Sequence, residues 1–87
     1  MIESDQEMLR QAMFETVGDQ IRDRNPPAAK HAFDRMTDEG YSKQDAKGLI
    51  ATVMVMEMSR VLAEGKVYNE ERYVGWLNDL PQLPPDD

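Results

Sequence analysis

One long apolar stretch decides the fold: residues 42–65 have the sequence SKQDAKGLIATVMVMEMSRVLAEG. Ser42 is a favourable N-cap, because its hydroxyl accepts hydrogen bonds from the N–H groups of a first helical turn. Gly65 suits the left-handed residue that ends a helix. The apolar side chains between them cover most of the helical wheel. The remaining strip holds small residues, namely Gly48, Thr52 and Ser59. The stretch predicts a central helix covered on several sides, with another backbone close to the small residues.

Glu57 is the one charged residue within the apolar arc of this helix. One interpretation is a buried carboxylate with a raised pKa that acts as an acid, a base or a ligand. The other is an ion pair with Arg60, one turn further on, or a position at the rim of the core. A single carboxylate without partner groups makes no active site, so the structural interpretation is preferred.

Length and composition indicate one small domain. We assign residues 1–80 to a helical domain and residues 81–87 to a Pro-rich acidic tail. The chain has no Cys, which excludes disulfides and thiolate metal sites. Its net charge of −7 is concentrated at the two ends, which argues against binding nucleic acid or an anionic membrane. The polar, acidic start lacks the layout of a signal peptide and predicts a cytoplasmic protein.

The remaining sequence predicts three further helices and an all-α fold, a four-helix bundle-like array around the long third helix. The predicted helices are residues 4–24, 26–39, 42–65 and 69–80. Their N-termini are placed by Ser4 with Glu7 in a capping box, by Asn25 before Pro26 at the first helical position, and by Asn69. The predicted core consists of Leu9, Met13, Val17, Phe33, Met36, Leu49, Ile50, Val53, Met54, Val61, Leu62, Tyr73 and Leu77.

No motif for catalysis or cofactor binding is recognisable. His31, the single histidine, projects away from the apolar stripe of its helix, and no partner ligands are implied by spacing. The sequence contains no phosphate loop, HExxH, CxxC or nucleophile elbow. We therefore predict no enzyme activity, no metal site and no cofactor.

Two stretches resemble a known pattern: residues 35–46 (RMTDEGYSKQDA) and residues 61–68 (VLAEGKVY), followed by Tyr73 and Leu80-Pro81. Over about the second half of the chain, this layout is similar to small uncharacterised bacterial helical proteins of a domain-of-unknown-function family. The resemblance implies a helical fold and supplies no function. Members of that family often carry histidine near the start of the long helix, where this chain has Lys43 and Lys47, so the resemblance implies no metal site here.

The leading functional hypothesis is a non-enzymatic protein-interaction module that binds a protein partner or forms a homodimer. It rests on the excess apolar surface of the central helix and on seven methionines, which adapt their shape at permissive binding surfaces. The alternative explanation is that the other helices cover the central one completely and that methionine only fills gaps.

Two other classes of function stay open. One is a small-ligand or enzymatic site in a cleft around Glu57 and Arg60 with Tyr73 or Trp76, which requires a raised pKa of Glu57. The other is an acidic mimic that binds a basic protein, in keeping with the net negative charge.

Overall fold

The computed structural model describes residues 2–84, except for the side chains of residues 2–6 and Leu9. This part of the chain folds into four α-helices joined by short connections. The helices are α1 (Ile2–Asp23), α2 (Pro27–Asp38), α3 (Lys43–Glu64) and α4 (Glu70–Asp79). No strand occurs within residues 2–84. The prediction of an all-α, bundle-like fold is therefore confirmed. Across the described range, every helix is too short or too polar to cross a bilayer.

α2 and α3 share the centre of the fold. α3 packs against all three other helices, as predicted for the hub, but α2 does so as well. Ala28, Ala29 and Ala32 on α2 are buried, and their small side chains let neighbouring helices approach closely. The Nη2 group of Arg35 on α2 also donates to two carbonyl oxygens at the end of α4, those of Leu77 (3.2 Å) and Leu80 (2.7 Å). The Leu80 carbonyl lies beyond the end of α4 and gains a donor in this way, whereas the Leu77 carbonyl also accepts from the backbone N–H of Leu80 at 3.2 Å.

The predicted ends of the long helix are confirmed. The Ser42 hydroxyl accepts a hydrogen bond from the backbone N–H of Asp45 at 3.0 Å. Gly65 has a φ angle of +64°, the left-handed conformation that glycine adopts without a steric penalty. At the start of α4, the Asn69 side chain accepts from the N–H of Arg72 at 3.0 Å, which confirms that cap too.

α1 ends in a way that the sequence did not reveal. Arg24 adopts a φ angle of +54°, and its N–H donates to the carbonyl of Ile21 at 3.4 Å. The N–H of Asn25 donates to the carbonyl of Gln20 at 3.1 Å. This is the Schellman pattern, with arginine at the position that glycine usually occupies.

Two predicted helix starts are wrong. α1 begins at Ile2, so Ser4 lies within the helix rather than at its N-cap. The N-cap of α2 is Pro26, without a side-chain hydrogen bond, and Pro27 is the first helical residue. The second error has a simple cause, because two consecutive prolines both satisfy the geometry of a helix start and the second one takes the N1 position.

The core matches the prediction at its centre and differs at its edges. Seven predicted residues are buried: Val17, Met36, Ile50, Val53, Met54, Tyr73 and Leu77. Met13, Phe33 and Leu49 pack against them while partly exposed, Val61 is half-buried, and Leu9 lies outside the described side chains. Leu62 was wrongly placed in the core: it is 84 % exposed, because it lies in the last turn of α3, where no other described helix covers it.

Candidate functional site

α3 and α4 are joined by an ion pair around Glu57, whose side chain is fully buried. One carboxylate oxygen accepts from Nε of Arg72 at 2.7 Å. The other accepts from Nη2 of Arg72 at 3.0 Å and from the backbone N–H of Asn69 at 2.9 Å. Asn69 is the N-cap of α4 and Arg72 lies in its first turn, so the carboxylate holds the start of α4 against α3. We call Glu57, Asn69 and Arg72 the Glu57 clamp.

The electrostatics of the Glu57 clamp favour an ionised carboxylate. Burial by itself raises the pKa of Glu57, but the hydrogen bonds from Arg72 and Asn69 and the charges of Arg72 and Arg60 outweigh it. The pKa of Glu57 is therefore lowered from its ordinary value. This direction is opposite to the raised pKa that the alternative of an acid–base function requires, and it agrees with the preferred structural interpretation.

Arg60 does not pair with Glu57, which corrects a second prediction. Its ion pair is with Glu64, at 3.7 Å on the protein surface. The guanidinium carbons of Arg60 and Arg72 each lie 5.7 Å from the ring centroid of Trp76. Trp76 thus lies beside the Glu57 clamp, in contact range of two cations.

Tyr73 connects α4 to α1 rather than to α3. Its side chain is fully buried, and its hydroxyl donates to Oε1 of Gln20 on α1 at 2.7 Å. Burial raises the pKa of the Tyr73 phenol, so it stays neutral at physiological pH. Of the four predicted site residues, Arg60 and Trp76 therefore gather near Glu57, whereas the Tyr73 hydroxyl is directed to α1.

The chemistry available at the Glu57 clamp is that of a structural link. The carboxylate is closed to solvent and accepts three hydrogen bonds, so it is poorly placed to take a proton from a substrate. Among the described residues, no three His, Cys, Asp or Glu side chains lie close enough to hold a metal ion.

The opposite side of α3 borders an open groove of about 570 Å³ between α1 and α3. Val55 and Glu57 are two residues apart on the helix and therefore point in nearly opposite directions. The lining consists of Arg10, Met13 and Phe14 from α1 and of Gly48, Ala51, Thr52, Val55 and Met56 from α3. We call this feature the α1–α3 groove.

The groove side of α3 carries no charge. Between Lys47 and Arg60 the single charged residue is Glu57, which is buried on the other side, although 31 % of the whole chain is charged. The predicted close approach of another backbone to the small residues is wrong at Gly48, because a Cβ there would meet no described atom of a neighbouring element within 4 Å. Three turns of helix thus present an uncharged, partly exposed surface.

The edge of the α1–α3 groove is basic. Nζ of Lys47 lies 4.5 Å from the ring centroid of Phe14, a cation–π distance. Arg10, one turn before Phe14 on α1, is exposed and also lines the groove. Neither cation forms an ion pair with a carboxylate whose side chain the structure describes.

Sequence reasoning missed Arg72 and the α1–α3 groove. Arg72 is the single cation between residue 67 and the C-terminus, so it was a candidate partner for a buried carboxylate, but its distance in sequence hid the pairing. The signal for the groove was present in the position of Phe14 off the apolar stripe of its helix. Only the packing of α1 against α3 shows that this ring meets Lys47.

Comparison with known proteins adds no relative. The chain matches no family model, no curated protein sequence and no solved structure. The resemblance to a domain-of-unknown-function family stays a prediction, and a functional proposal rests on the geometry described above.

Proposed function

We propose that this chain is a non-enzymatic protein-interaction module that receives an amphipathic helix of a protein partner in the α1–α3 groove. The observation that supports it most strongly is the uncharged, partly exposed face of α3 between Lys47 and Arg60. In a chain with net charge −7, such a face is unusual for a helix that meets only water. A protein partner explains why charge is avoided there.

The shape of the groove favours a helix as the occupant. Its sides are themselves two neighbouring helices, and an amphipathic helix laid into an apolar groove is a recurring mode of peptide recognition. The volume of about 570 Å³ corresponds to roughly 20 water molecules at about 30 Å³ each. Apolar side chains that displace this water gain hydrophobic free energy.

The methionines support the same proposal. Met36 and Met54 are buried and fill the core, as gap-filling residues would. Met13 and Met56 instead line the α1–α3 groove. Their flexible, polarisable side chains can adapt to different apolar partners. The methionines thus divide between the core and the groove, and those in the groove support the proposed interaction surface.

The other two classes of function have less support. The Glu57 clamp engages its carboxylate in three hydrogen bonds, which weighs against a ligand or enzyme site built on Glu57. An acidic mimic of nucleic acid would bind its basic partner away from the α1–α3 groove, because Arg10 and Lys47 make the groove edge basic.

A dye-binding experiment tests the proposal. The wild-type protein is expected to enhance the fluorescence of a hydrophobic dye, and Val55→Glu should reduce the enhancement several-fold by placing a charge in the groove. His31→Glu is the matched control, because His31 is exposed on α2 outside the groove lining and the change in charge is the same. Circular dichroism verifies that both variants fold.

Sedimentation of the same samples reports whether a second copy is the occupant. A wild-type monomer that binds no dye would contradict the proposed function. Equal loss of dye binding in Val55→Glu and His31→Glu would also contradict it, because the apolar surface would then lie elsewhere.

A further inference from the structure

We infer that the α1–α3 groove selects acidic helices: amphipathic segments with carboxylates on one flank, about one turn apart, that pair with Arg10 and Lys47. The inference rests on the proposed function and specifies the chemistry of the partner. Arg10 lines the groove, Lys47 contacts its lining residue Phe14, and none of the lining residues that the structure describes is a carboxylate. The positive charge at the groove is opposite in sign to the net charge of the whole chain, which is −7 because Asp and Glu outnumber Lys and Arg by 17 to 10.

The Lys47 ammonium lies against two residues of α1, Phe14 and Gly18. It lies over the Phe14 ring, with Nζ 4.5 Å from the centroid. A Cβ at Gly18 would come within 3.3 Å of the same Nζ atom, which is tighter than an ordinary contact. The absent side chain at Gly18 therefore leaves the space in which Lys47 rests against α1. An ammonium held in this way keeps N–H donors for a carboxylate on the solvent side.

Arg10 provides the second cation. It precedes Phe14 by four residues, so the two side chains lie on the same face of α1, about one turn apart. Its planar guanidinium offers paired donors that match the two oxygens of a carboxylate. Lys47 lies over Phe14, so the two cations are separated by about the distance from Arg10 to Phe14, which is one helical turn. Carboxylates at positions i and i+4 of a bound helix have the same spacing.

Charge complementarity decides between acidic and basic partners. A helix with lysine on that flank would place like charges against Arg10 and Lys47 at the groove edge, which is unfavourable. A helix with glutamate forms two ion pairs instead. Exposed pairs are individually weak, so we expect the combined preference to be roughly tenfold in affinity.

Two synthetic peptides test this inference. Both have about 18 residues, enough for a helix to form on binding, with the same leucine stripe. One carries two glutamates at i and i+4 on one flank, and the other carries lysines there. Each is titrated into the full-length, isotope-labelled protein by NMR. The glutamate peptide should bind roughly tenfold more tightly and shift the amides of Gly48, Thr52 and Val55, and the preference should fall in high salt.

Matched variants identify the cations. The double variant Arg10→Gln/Lys47→Gln should abolish the preference for the glutamate peptide. The control Lys30→Gln/Lys66→Gln changes the net charge equally but removes cations that pair with Asp34 and Glu64 away from the groove, so it should keep the preference.

The possible failures are distinguishable. Equal binding of both peptides in the groove would overturn the acidic selection and leave the proposed function standing. Binding of neither peptide to the groove would overturn both. A preference that survives in Arg10→Gln/Lys47→Gln would overturn the assignment to these two residues.

Discussion

The Glu57 clamp predicts a large loss of stability from one conservative substitution, Arg72→Met. Methionine keeps an unbranched apolar stem that can cover Trp76, so the change removes mainly the guanidinium. Two charge-assisted hydrogen bonds to Glu57, of 2.7 Å and 3.0 Å, are lost. The Glu57 carboxylate, which is fully buried in the wild type, keeps the Asn69 N–H as its donor from the clamp.

The expected cost follows from this geometry. Removing one partner of a buried ion pair typically costs about 3–5 kcal/mol, because a charge is left without compensation. The Arg72 side chain is 25 % exposed, so water can partly replace it, and we expect the lower end, about 3 kcal/mol. A domain of this length has a total stability of roughly 4–13 kcal/mol. The melting temperature should fall by roughly 12–24 °C.

Urea denaturation at several pH values measures the effect. In the wild type, the lowered pKa of Glu57 means that its stabilisation is fully present above the unfolded-state pKa, about 4.3, and is lost as the pH falls through the lower folded-state value. In Arg72→Met the hydrogen bonds and charge of Arg72 no longer lower the pKa of Glu57, so burial shifts that pKa upward from its wild-type value. The difference between the two proteins should therefore be largest at neutral pH and should shrink towards pH 4.

The double variant Glu57→Met/Arg72→Met serves as the control. It should be more stable than Arg72→Met, because no buried charge is left unpaired. If Arg72→Met changed the free energy of unfolding by less than about 0.5 kcal/mol at pH 7, the clamp would not hold α4 and this reasoning would be refuted.

Four smaller changes follow from other contacts and are checked by chemical denaturation or amide exchange. Gly75→Ala should stabilise the protein by about 0.5–1 kcal/mol, because a Cβ there meets no atom within 4 Å and alanine favours the helix. Arg24→Gly should stabilise the protein by up to about 1 kcal/mol, because glycine adopts the left-handed conformation without the steric strain of arginine. An unchanged free energy of unfolding would argue against backbone strain at this position. Tyr73→Phe should cost about 1 kcal/mol through the lost hydrogen bond to Gln20. Arg35→Met should speed amide exchange at the end of α4, and unchanged exchange would contradict its capping role.

Local signals predicted the fold because apolar periodicity marks all four helices, and residues close in sequence correctly mark the N-termini of α3 and α4. Ser42 and Gly65 bracket α3 through bonds and angles that involve only neighbouring residues, and periodicity placed Ile50 and Val53 in the core. The prediction that Leu62 lies in the core was wrong because periodicity gives the direction of a side chain and does not show how far the neighbouring helices extend. The end of α1 at Arg24 was not predicted because a left-handed arginine is locally disfavoured; here it occurs together with two Schellman hydrogen bonds to the last turn of α1.

The candidate site was less accessible to sequence reasoning because it depends on contacts between helices. Glu57 was correctly singled out as an unusual carboxylate, but its partner Arg72 is fifteen residues away on another helix. Helical spacing favoured Arg60, which is one turn from Glu57 yet pairs with Glu64. The pKa of Glu57 could not be given the right direction without knowing that three donors surround it.

The uncharged face of α3 is not explained by folding. Thr52 and Ser59 are exposed, and Val55 is half-buried at the groove, so glutamate or lysine at these positions would keep the buried core intact. Those charged residues are also better helix formers than valine, threonine or serine. The burial of Glu57 on the opposite side shows that the core-facing side of α3 accommodates a charge once it is paired. Neither helix propensity nor the core therefore requires an uncharged outer face, and this unexplained absence of charge is the feature on which the proposed function rests.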